Sequence, residues 1–286
     1  MIHSAPSVSL PIHKYHGLGN DFVLLDNRQQ PELLITPQQV IQICDRRFGV
    51  GADGVIFLLP SQSGSDFTMR IINSDGSEPE MCGNGIRCLA QFLGDLGVKS
   101  STYRIHTLAG EMVLQVAEEG RITVDMGVPH LLAAEIPTTL ATSSDKVIEQ
   151  PLWVAGQTWS VTCVSMGNPH CVTFLPEIAS LDLAAIGPQF EHHPVFPKRT
   201  NTEFVKVVSR NHLQMRVWER GAGATLACGT GACAVLVAAV LTQQAERQAV
   251  VELPGGSLRI EWNPENEHVF MTGPAQHVFS GVYDLV

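Results

Sequence analysis

The chain has 286 residues, 44% of them hydrophobic and 16% charged. At about 150 residues per domain, that length fits two domains or one large one with a sizeable core. Lys and Arg number 18 against 28 Asp and Glu, a formal net charge of −10. The overall attraction that draws basic proteins to nucleic acid or anionic lipid is therefore missing, and neither nucleic acid nor membrane is an expected partner.

Residues 1–10 carry no basic cluster and no apolar run, so no leader is read there. The longest small-and-apolar run, Ala232–Leu241, is far short of the roughly 18 residues that mark a membrane span. Seven cysteines, an odd number without a secretory signal, point to the reducing cytoplasm and free thiols.

Ile12–Tyr15 and Phe22–Asp26 read as short strands around the turn Gly17-Leu18-Gly19-Asn20. Thr36 and Pro37 supply an N-cap and a first helical residue, for a helix expected to reach about Phe48. Val55–Leu59 and Phe67–Ile72 read as strands. Thr102–Thr107, Glu111–Val116 and Arg121–Asp125 read as a meander. Residues 126–151 are weakly periodic, with prolines at 129 and 137, and are the expected crossing between halves. Strands follow near Trp153–Val164, Cys171–Phe174, Thr202–Val208 and Leu213–Trp218, then a helix from about Thr230. Strands near Val250–Leu253, Leu258–Trp262, Val269–Met271 and His277–Tyr283 close the chain.

One internal repeat organises this list. Met81-Cys82-Gly83-Asn84-Gly85 resembles Ala227-Cys228-Gly229-Thr230-Gly231, and the two cysteines lie 146 residues apart, close to half the length. Each copy leads into an apolar helical stretch. The second, about Thr230 to Gln244, is apolar on nearly every side, which is the pattern of a helix buried all round. The expected fold is α/β of the α+β type. Two pseudo-symmetric domains each wrap a mixed sheet around a central helix, with the active site in the cleft between them.

Glycines let the backbone turn tightly and leave amide N–H groups open. A helix starting there directs its positive end at an anion and is expected to lower the pKa of a cysteine beside it. Two such thiols on opposite sides of one carbon suit a racemase or epimerase. One removes a proton from one face of a weakly acidic Cα–H, and the other returns a proton to the opposite face. Amides at the helix starts stabilise the developing charge. The blander readings of Cys82 and Cys228 are packing, a disulfide or a metal ligand. The repeated glycine context opposes the first, the compartment the second and the loose, unequal cysteine spacing the third. Cys44, Cys88, Cys163, Cys171 and Cys233 sit in apolar elements and read as core.

Asn168-Pro169-His170 places an amide and an imidazole on one stiff turn. Glu219-Arg220 offers a carboxylate for an ammonium and a guanidinium for a carboxylate, although such a dipeptide is usually a solvated pair. Asn20, Asn73, Asn84 and Asn201 lie at element ends, where asparagine is commonly only a turn residue. Gly49-Val50-Gly51-Ala52-Asp53-Gly54 matches G-x-G-x-x-G, but a helix precedes it and a strand follows. The order is the reverse of a dinucleotide site.

His16-Gly17-Leu18-Gly19-Asn20-Asp21-Phe22, Asn73-Ser74-Asp75-Gly76-Ser77, Met81 to Gly85, Met166 to His170 and Glu219 to Cys233 together resemble the diaminopimelate epimerase family, in the family's order and across nearly the whole chain. The resemblance implies interconversion of LL- and meso-diaminopimelate, in lysine and peptidoglycan precursor synthesis, without pyridoxal phosphate, metal or other cofactor. It implies domains of residues 1–126 plus 274–286 and of residues 127–273, and a cytoplasmic homodimer. By that resemblance Cys82 and Cys228 are the catalytic thiols, supported by His170 and Glu219. Gly83 and Asn84, with Gly229 and Thr230, form carboxylate cradles. Asn20, Asn73, Asn168, Asn201, Glu219 and Arg220 hold the substrate, chiefly its distal end. Gly54 and Ala224 depart from the family pattern, standing where some members carry Gln and many carry Glu, respectively. A proline-racemase-like enzyme and a thiol redox-switched binding protein are the competing readings; the first would not need the Glu219 and Arg220 pair, and the second would not need the distal Asn and Arg set.

Overall fold

Two-residue turns and helix caps fix where the elements begin and end. In the computed structural model, residues 8–117 and 119–285 are described; residues 1–7, where no leader was read, lie outside them. Strands β1 (Val8–Gly17) and β2 (Asn20–Asp26) pair antiparallel, with Gly17 opposite Asn20. The turn between them has positive φ at both Leu18 (57°) and Gly19 (85°), the geometry that matches strand twist in a tight hairpin. Helix α1 (Pro37–Cys44) starts with a capping box in which Thr36 and Gln39 bond reciprocally. It stops one turn before the expected Phe48. Asp45 is extended, and its carboxylate accepts the N–H groups of Arg47 and Phe48, so those donors turn to a side chain and not to the helix.

Strands β3 (Gly54–Leu59) and β4 (Phe67–Asn73), helix α2 (Gly83–Asp95) and strands β5 (Thr102–Thr107), β6 (Gly110–Val116) and β7 (Ile122–Asp125) follow. The run near Trp153–Val164 is two strands, β8 (Gln150–Val154) and β9 (Gln157–Ser165). They part at a turn with positive φ at Ala155 and Gly156. Next come β10 (Pro169–Phe174) and a helix absent from the sequence reading, α3 (Leu183–Glu191), capped by the Asp182 side chain. Gly187 and Pro188 lie inside it, and both residues oppose helix in a local reading. Then follow β11 (Asn201–Ser209), β12 (His212–Glu219), the short β13 (Gly223–Thr225), helix α4 (Gly229–Leu241), β14 (Gln248–Leu253), β15 (Gly256–Trp262), β16 (Val269–Gly273) and β17 (Gln276–Leu285).

The chain divides into two units. The described part of Met1–Val124 joins Gly273–Val286, and Asp125–Thr272 forms the other. The changes of unit thus fall one or two residues before the expected 126/127 and 273/274. In the first unit the strand order is β17-β1-β2-β3-β4-β5-β6-β7. In the second it is β8-β9-β10-β11-β12-β14-β15-β16. Both orders run through the same pairings: two antiparallel, one parallel, one antiparallel, one parallel, two antiparallel. A parallel pair needs a crossover. Helices α1 and α2 supply the crossovers of the first unit, and α3 and α4 supply those of the second. The first unit takes its outermost strand, β17, from the chain's C-terminal end.

Helix α2 packs against β1, β2, β3, β6 and β17, and α4 against β9, β10, β11, β12, β14 and β15. Each central helix is therefore surrounded by its sheet. Gly229 and every residue from Gly231 to Ala239 are buried, as the uniform apolarity of α4 requires. Arg87, fully buried in α2, donates hydrogen bonds to Gly83 O, Asn84 Oδ1 and Pro274 O. Residues 126–149 pack into the second unit through bridges from His130 to Ser165 and from Leu132 to Lys146, with Ala133, Ile136 and Val147 buried. The five cysteines read as core are all buried. No helix among the described residues is long and apolar enough to cross a membrane.

Candidate active-site residues

The two Cys-Gly-x-Gly segments fold alike. Cys82 is the N-cap of α2, at φ −136° and ψ 114°, and its Sγ accepts the Gly85 N–H at 3.4 Å. Cys228 is the N-cap of α4, at φ −130° and ψ 109°, and its Sγ accepts the Gly231 N–H at 3.4 Å. In each helix the first intrahelical bond runs back to the cysteine carbonyl, from Ile86 and from Ala232. The amides of Gly83 and Asn84, and of Gly229 and Thr230, precede that bond. They belong to the set of helix-start donors that anions attract.

In the first unit, Asn20 begins β2 and reaches the Cys82 sulfur. Its Nδ2 donates to Asp53 Oδ2 at 2.6 Å, while its Oδ1 accepts Asn84 Nδ2 at 3.2 Å and lies 3.8 Å from Cys82 Sγ. An ionised carboxylate only accepts, so Asp53 fixes which end of the Asn20 amide faces the thiol. Asp53 is itself tied to Arg46 at 2.7 Å. Arg46 binds Asp21 at 2.6 Å, and Asp21 binds the buried Lys14 at 2.5 Å. Burial raises the Asp21 carboxyl, but hydrogen bonds from Arg46 and Lys14 outweigh it and hold the group below its ordinary value. Asn73, at the end of β4, donates to Ser77 Oγ at 3.0 Å, a turn contact.

In the second unit, Glu219 ends β12 and Thr225 ends the short β13, and the Thr225 hydroxyl donates to Glu219 Oε1. Burial pushes the Glu219 carboxyl up, against the bonds from Thr225 and Cys228 and the charge of His170. The Cys228 thiol is pushed well above its ordinary value, first by burial and then by the negative charges of Glu219 and Glu203. Bonds from Thr230 and the Gly231 amide oppose the rise without cancelling it. This reverses the expectation that a helix start lowers the pKa of this cysteine: desolvation and two carboxylates outweigh one helix end.

His170 lies on β10 and is fully buried. Its Nδ1 is 2.6 Å from Glu203 Oε1 and its Nε2 is 3.0 Å from Asn168 Oδ1. Asn168 Nδ2 is 3.3 Å from Thr230 Oγ1, which is 3.7 Å from Cys228 Sγ. His170 therefore connects to the thiol through Asn168 and Thr230. Glu203, on β11, is missing from the sequence reading. Its signal was a carboxylate in the middle of Asn201-Thr202-Glu203-Phe204-Val205, five residues that are all buried. Gly231 makes room for it, since a Cβ there would stand 2.8 Å from Glu203 Oε1 and 3.1 Å from Cys228 Sγ.

Asn201 is buried, and both ends of its amide bind backbone. Nδ2 donates to Pro169 O at 2.7 Å, and Oδ1 accepts the Arg220 N–H at 2.9 Å. It holds Arg220, whose exposed guanidinium reaches Lys198 O at 3.2 Å. At Gly54 a Cβ would stand 2.8 Å from the Ile72 carbonyl oxygen, so no side chain fits without moving the strand. Ala224 is exposed on β13, and its neighbour Thr225 is the residue that touches Glu219.

The family described as diaminopimelate epimerase matches residues 12–132 and 162–278. A diaminopimelate epimerase of Synechococcus sp. (strain JA-2-3B'a(2-13)) is 67% identical over 277 residues, covering 95% of this chain and 97% of its own. One from Synechocystis sp. is 65% identical over 279 residues, covering 97% and 100%. Among solved structures, a phenazine biosynthesis protein of the PhzF family from Bacillus anthracis is similar in fold. It has a TM-score of 0.68 at 18% identity, covering 98% of this chain and 100% of its own. The chain belongs to the diaminopimelate epimerase family.

Proposed function

We propose that the chain interconverts LL- and meso-diaminopimelate by proton exchange at one α-carbon, with Cys82 and Cys228 as the two acid–base groups. The observation that carries this reading is the matched pair of thiol N-caps, one on each central helix. In the forward step one thiolate takes the α-proton: a C–H bond breaks, an S–H bond forms, and the electron pair stays on the carbon. The other thiol then gives its proton to the opposite face, so one S–H bond breaks and a new C–H bond forms. No net proton is gained, and the enzyme is left with the roles of its two thiols exchanged.

Burial and the carboxylates beside Cys228 favour its thiol form, the form that gives a proton to the carbon. Charge that develops on the carbon spreads into the substrate carboxylate. The helix-start amides of Gly83, Asn84, Gly229 and Thr230 suit that anion. Glu219 supports Cys228 and offers a carboxylate to the distal ammonium. Arg220, held by Asn201, offers a guanidinium to the distal carboxylate. Asn20, Asn73 and Asn168 are read as further polar contacts to the substrate.

We also read the enzyme as a cytoplasmic homodimer. Val278, Phe279 and Val282 are exposed on β17, an outer strand whose partner is β1, and exposed apolar edges of this kind are normally covered. Light scattering on the purified protein tests this: a dimer mass supports it and a monomer mass contradicts it. For the activity, purified protein is incubated with LL-diaminopimelate and the stereoisomers are separated by chromatography. Approach to an equilibrium mixture with the meso form is expected, and unchanged LL-substrate would defeat the proposal.

A further inference from the structure

Beyond its negative charge near Cys228, Glu203 has no part in the proton exchange, yet it is one of the most deeply buried charged groups in the second unit. Its exposure is 0%, as is that of His170. Its Oε1 is spent on His170 Nδ1, and its Oε2 is buried with no hydrogen-bond partner among the described residues. A buried carboxylate with one oxygen unsatisfied is costly. Leucine at this strand position would pack without that cost. The His170–Asn168–Thr230 chain leads from this carboxylate to the Cys228 sulfur in steps of 2.6, 3.0, 3.3 and 3.7 Å.

We propose that Glu203 is a positioning residue that sets, through His170, Asn168 and Thr230, the direction of a hydrogen-bond chain ending on the Cys228 sulfur. The inference rests on the reading of Cys228 as an acid–base group. The ionised carboxylate only accepts, so the proton between it and His170 sits on Nδ1. The state of Nε2 then decides the rest. With a proton on Nε2, the ring donates to Asn168 Oδ1 and Asn168 Nδ2 donates to Thr230 Oγ1. The Thr230 hydroxyl is then free to donate to sulfur, an arrangement that favours the thiolate. With a lone pair on Nε2, the Asn168 amide turns over to donate to it. Asn168 Oδ1 then accepts a hydrogen bond from the Thr230 hydroxyl, and Thr230 Oγ1 accepts from the S–H, which favours the thiol. A two-base cycle leaves Cys228 as thiol in one half and thiolate in the other. The chain has one polarity for each, and a negative partner at Nδ1 supports the doubly protonated ring that the thiolate polarity requires.

The groups acting on this sulfur are Glu219 from β12 and Glu203 from β11, with Thr230 and the Gly231 amide on its own helix; His170 from β10 acts on Glu219. Cys171, on β10, also feels Glu203. The sign of one shift separates the relay from a bare charge. If Glu203 acts only as a nearby negative charge, Glu203→Gln lowers the pH at which Cys228 ionises. If it acts through the ring, the variant exchanges an ion pair for a neutral pair with no change in net charge. It also removes the donor polarity toward sulfur, so that pH rises.

The test is the pH midpoint of Cys228 alkylation by iodoacetamide, resolved by peptide mass spectrometry, together with the pH profile of kcat/KM. Wild type, Glu203→Gln, Thr230→Val and the double variant are compared. Thr230→Val cuts the chain at its last link, and the limb of the kcat/KM profile that it moves identifies Cys228. We expect both single variants to move the alkylation midpoint, and that same limb, to higher pH by about half a unit or more. We expect the double variant to move them no further than the larger single. A fall or no change in Glu203→Gln, or additive shifts in the double variant, overturns the relay. Were alkylation blocked, the limb identified by Thr230→Val decides alone, and a Thr230→Val variant that moves no limb also overturns it. Epimerisation retained in Cys228→Ala would instead sink the underlying reading of Cys228, a separate result.

Discussion

His170 Nδ1 and Glu203 Oε1 lie 2.6 Å apart with both side chains fully buried, and this pair stands behind a cysteine whose thiol is held protonated. The Cys228 environment differs from that of an ordinary helix-start cysteine. The carboxylate of Glu219 presses on the same sulfur from another strand. Replacing Glu219 with Gln removes that charge at nearly constant volume. We expect Glu219→Gln to raise the rate of Cys228 alkylation at pH 8 by roughly tenfold, the factor that belongs to one pKa unit. An unchanged or slower rate would show that Glu219 does not govern the thiol. This direction is opposite to that expected for Glu203→Gln, which makes the two variants mutual controls.

Arg220 is exposed, and its guanidinium makes a modest bond, to Lys198 O, among the described residues. It contributes little to folding and is free to meet a ligand. Arg220→Ala should lower kcat/KM for diaminopimelate by about 10- to 100-fold, the range of one charge-assisted hydrogen bond, mostly through KM. The unfolding midpoint should hardly move. Unaltered kcat/KM would remove Arg220 from the distal site.

Asp21 joins two cations, one of them the buried Lys14. Removing its charge strands Lys14, at a cost of about 3 kcal/mol for a pair this deeply placed. Because the Asp21 carboxyl is held below its unfolded value, its contribution is present above that unfolded value and is lost as pH falls through the folded one. Urea unfolding of Asp21→Asn should therefore show its full deficit at pH 7 and a much smaller one at pH 3. An equal deficit at both values would refute the ionic origin.

Gly54 has no room for a Cβ, since the Ile72 carbonyl stands 2.8 Å from where it would lie. Gly54→Ala should cost about 1–3 kcal/mol, the usual penalty of overpacking, read as a lowered urea midpoint. A variant as stable as the wild type would mean that the strand yields.

Much of this was legible in the sequence because it is local. The Thr36-Pro37 helix start, the paired Cys-Gly-x-Gly caps and the all-round apolarity of α4 depend on neighbours a few residues apart. Where the reading failed, distant or competing contacts decided. Asp45 took over the N–H groups that would have continued α1. Helix α3 formed despite Gly187 and Pro188, where Gly187 packs so closely on the Trp218 ring that a Cβ would clash with it. Glu203 was hidden because its partner His170 is 33 residues away and becomes adjacent only through the parallel pairing of β10 with β11. The ionisation of Cys228 was misjudged for the same reason. The helix start is visible in sequence, whereas the two carboxylates and the burial that outweigh it are not.

The central claim is that two thiols, one on each central helix, exchange the proton at one α-carbon. It is tested most directly in deuterium oxide with LL-diaminopimelate and no added cofactor, comparing wild type, Cys82→Ala and Cys228→Ala. Wild type should form meso-diaminopimelate carrying solvent deuterium at the inverted α-carbon, and each variant should form none. Meso product from either variant at a rate near that of wild type would contradict the two-thiol account.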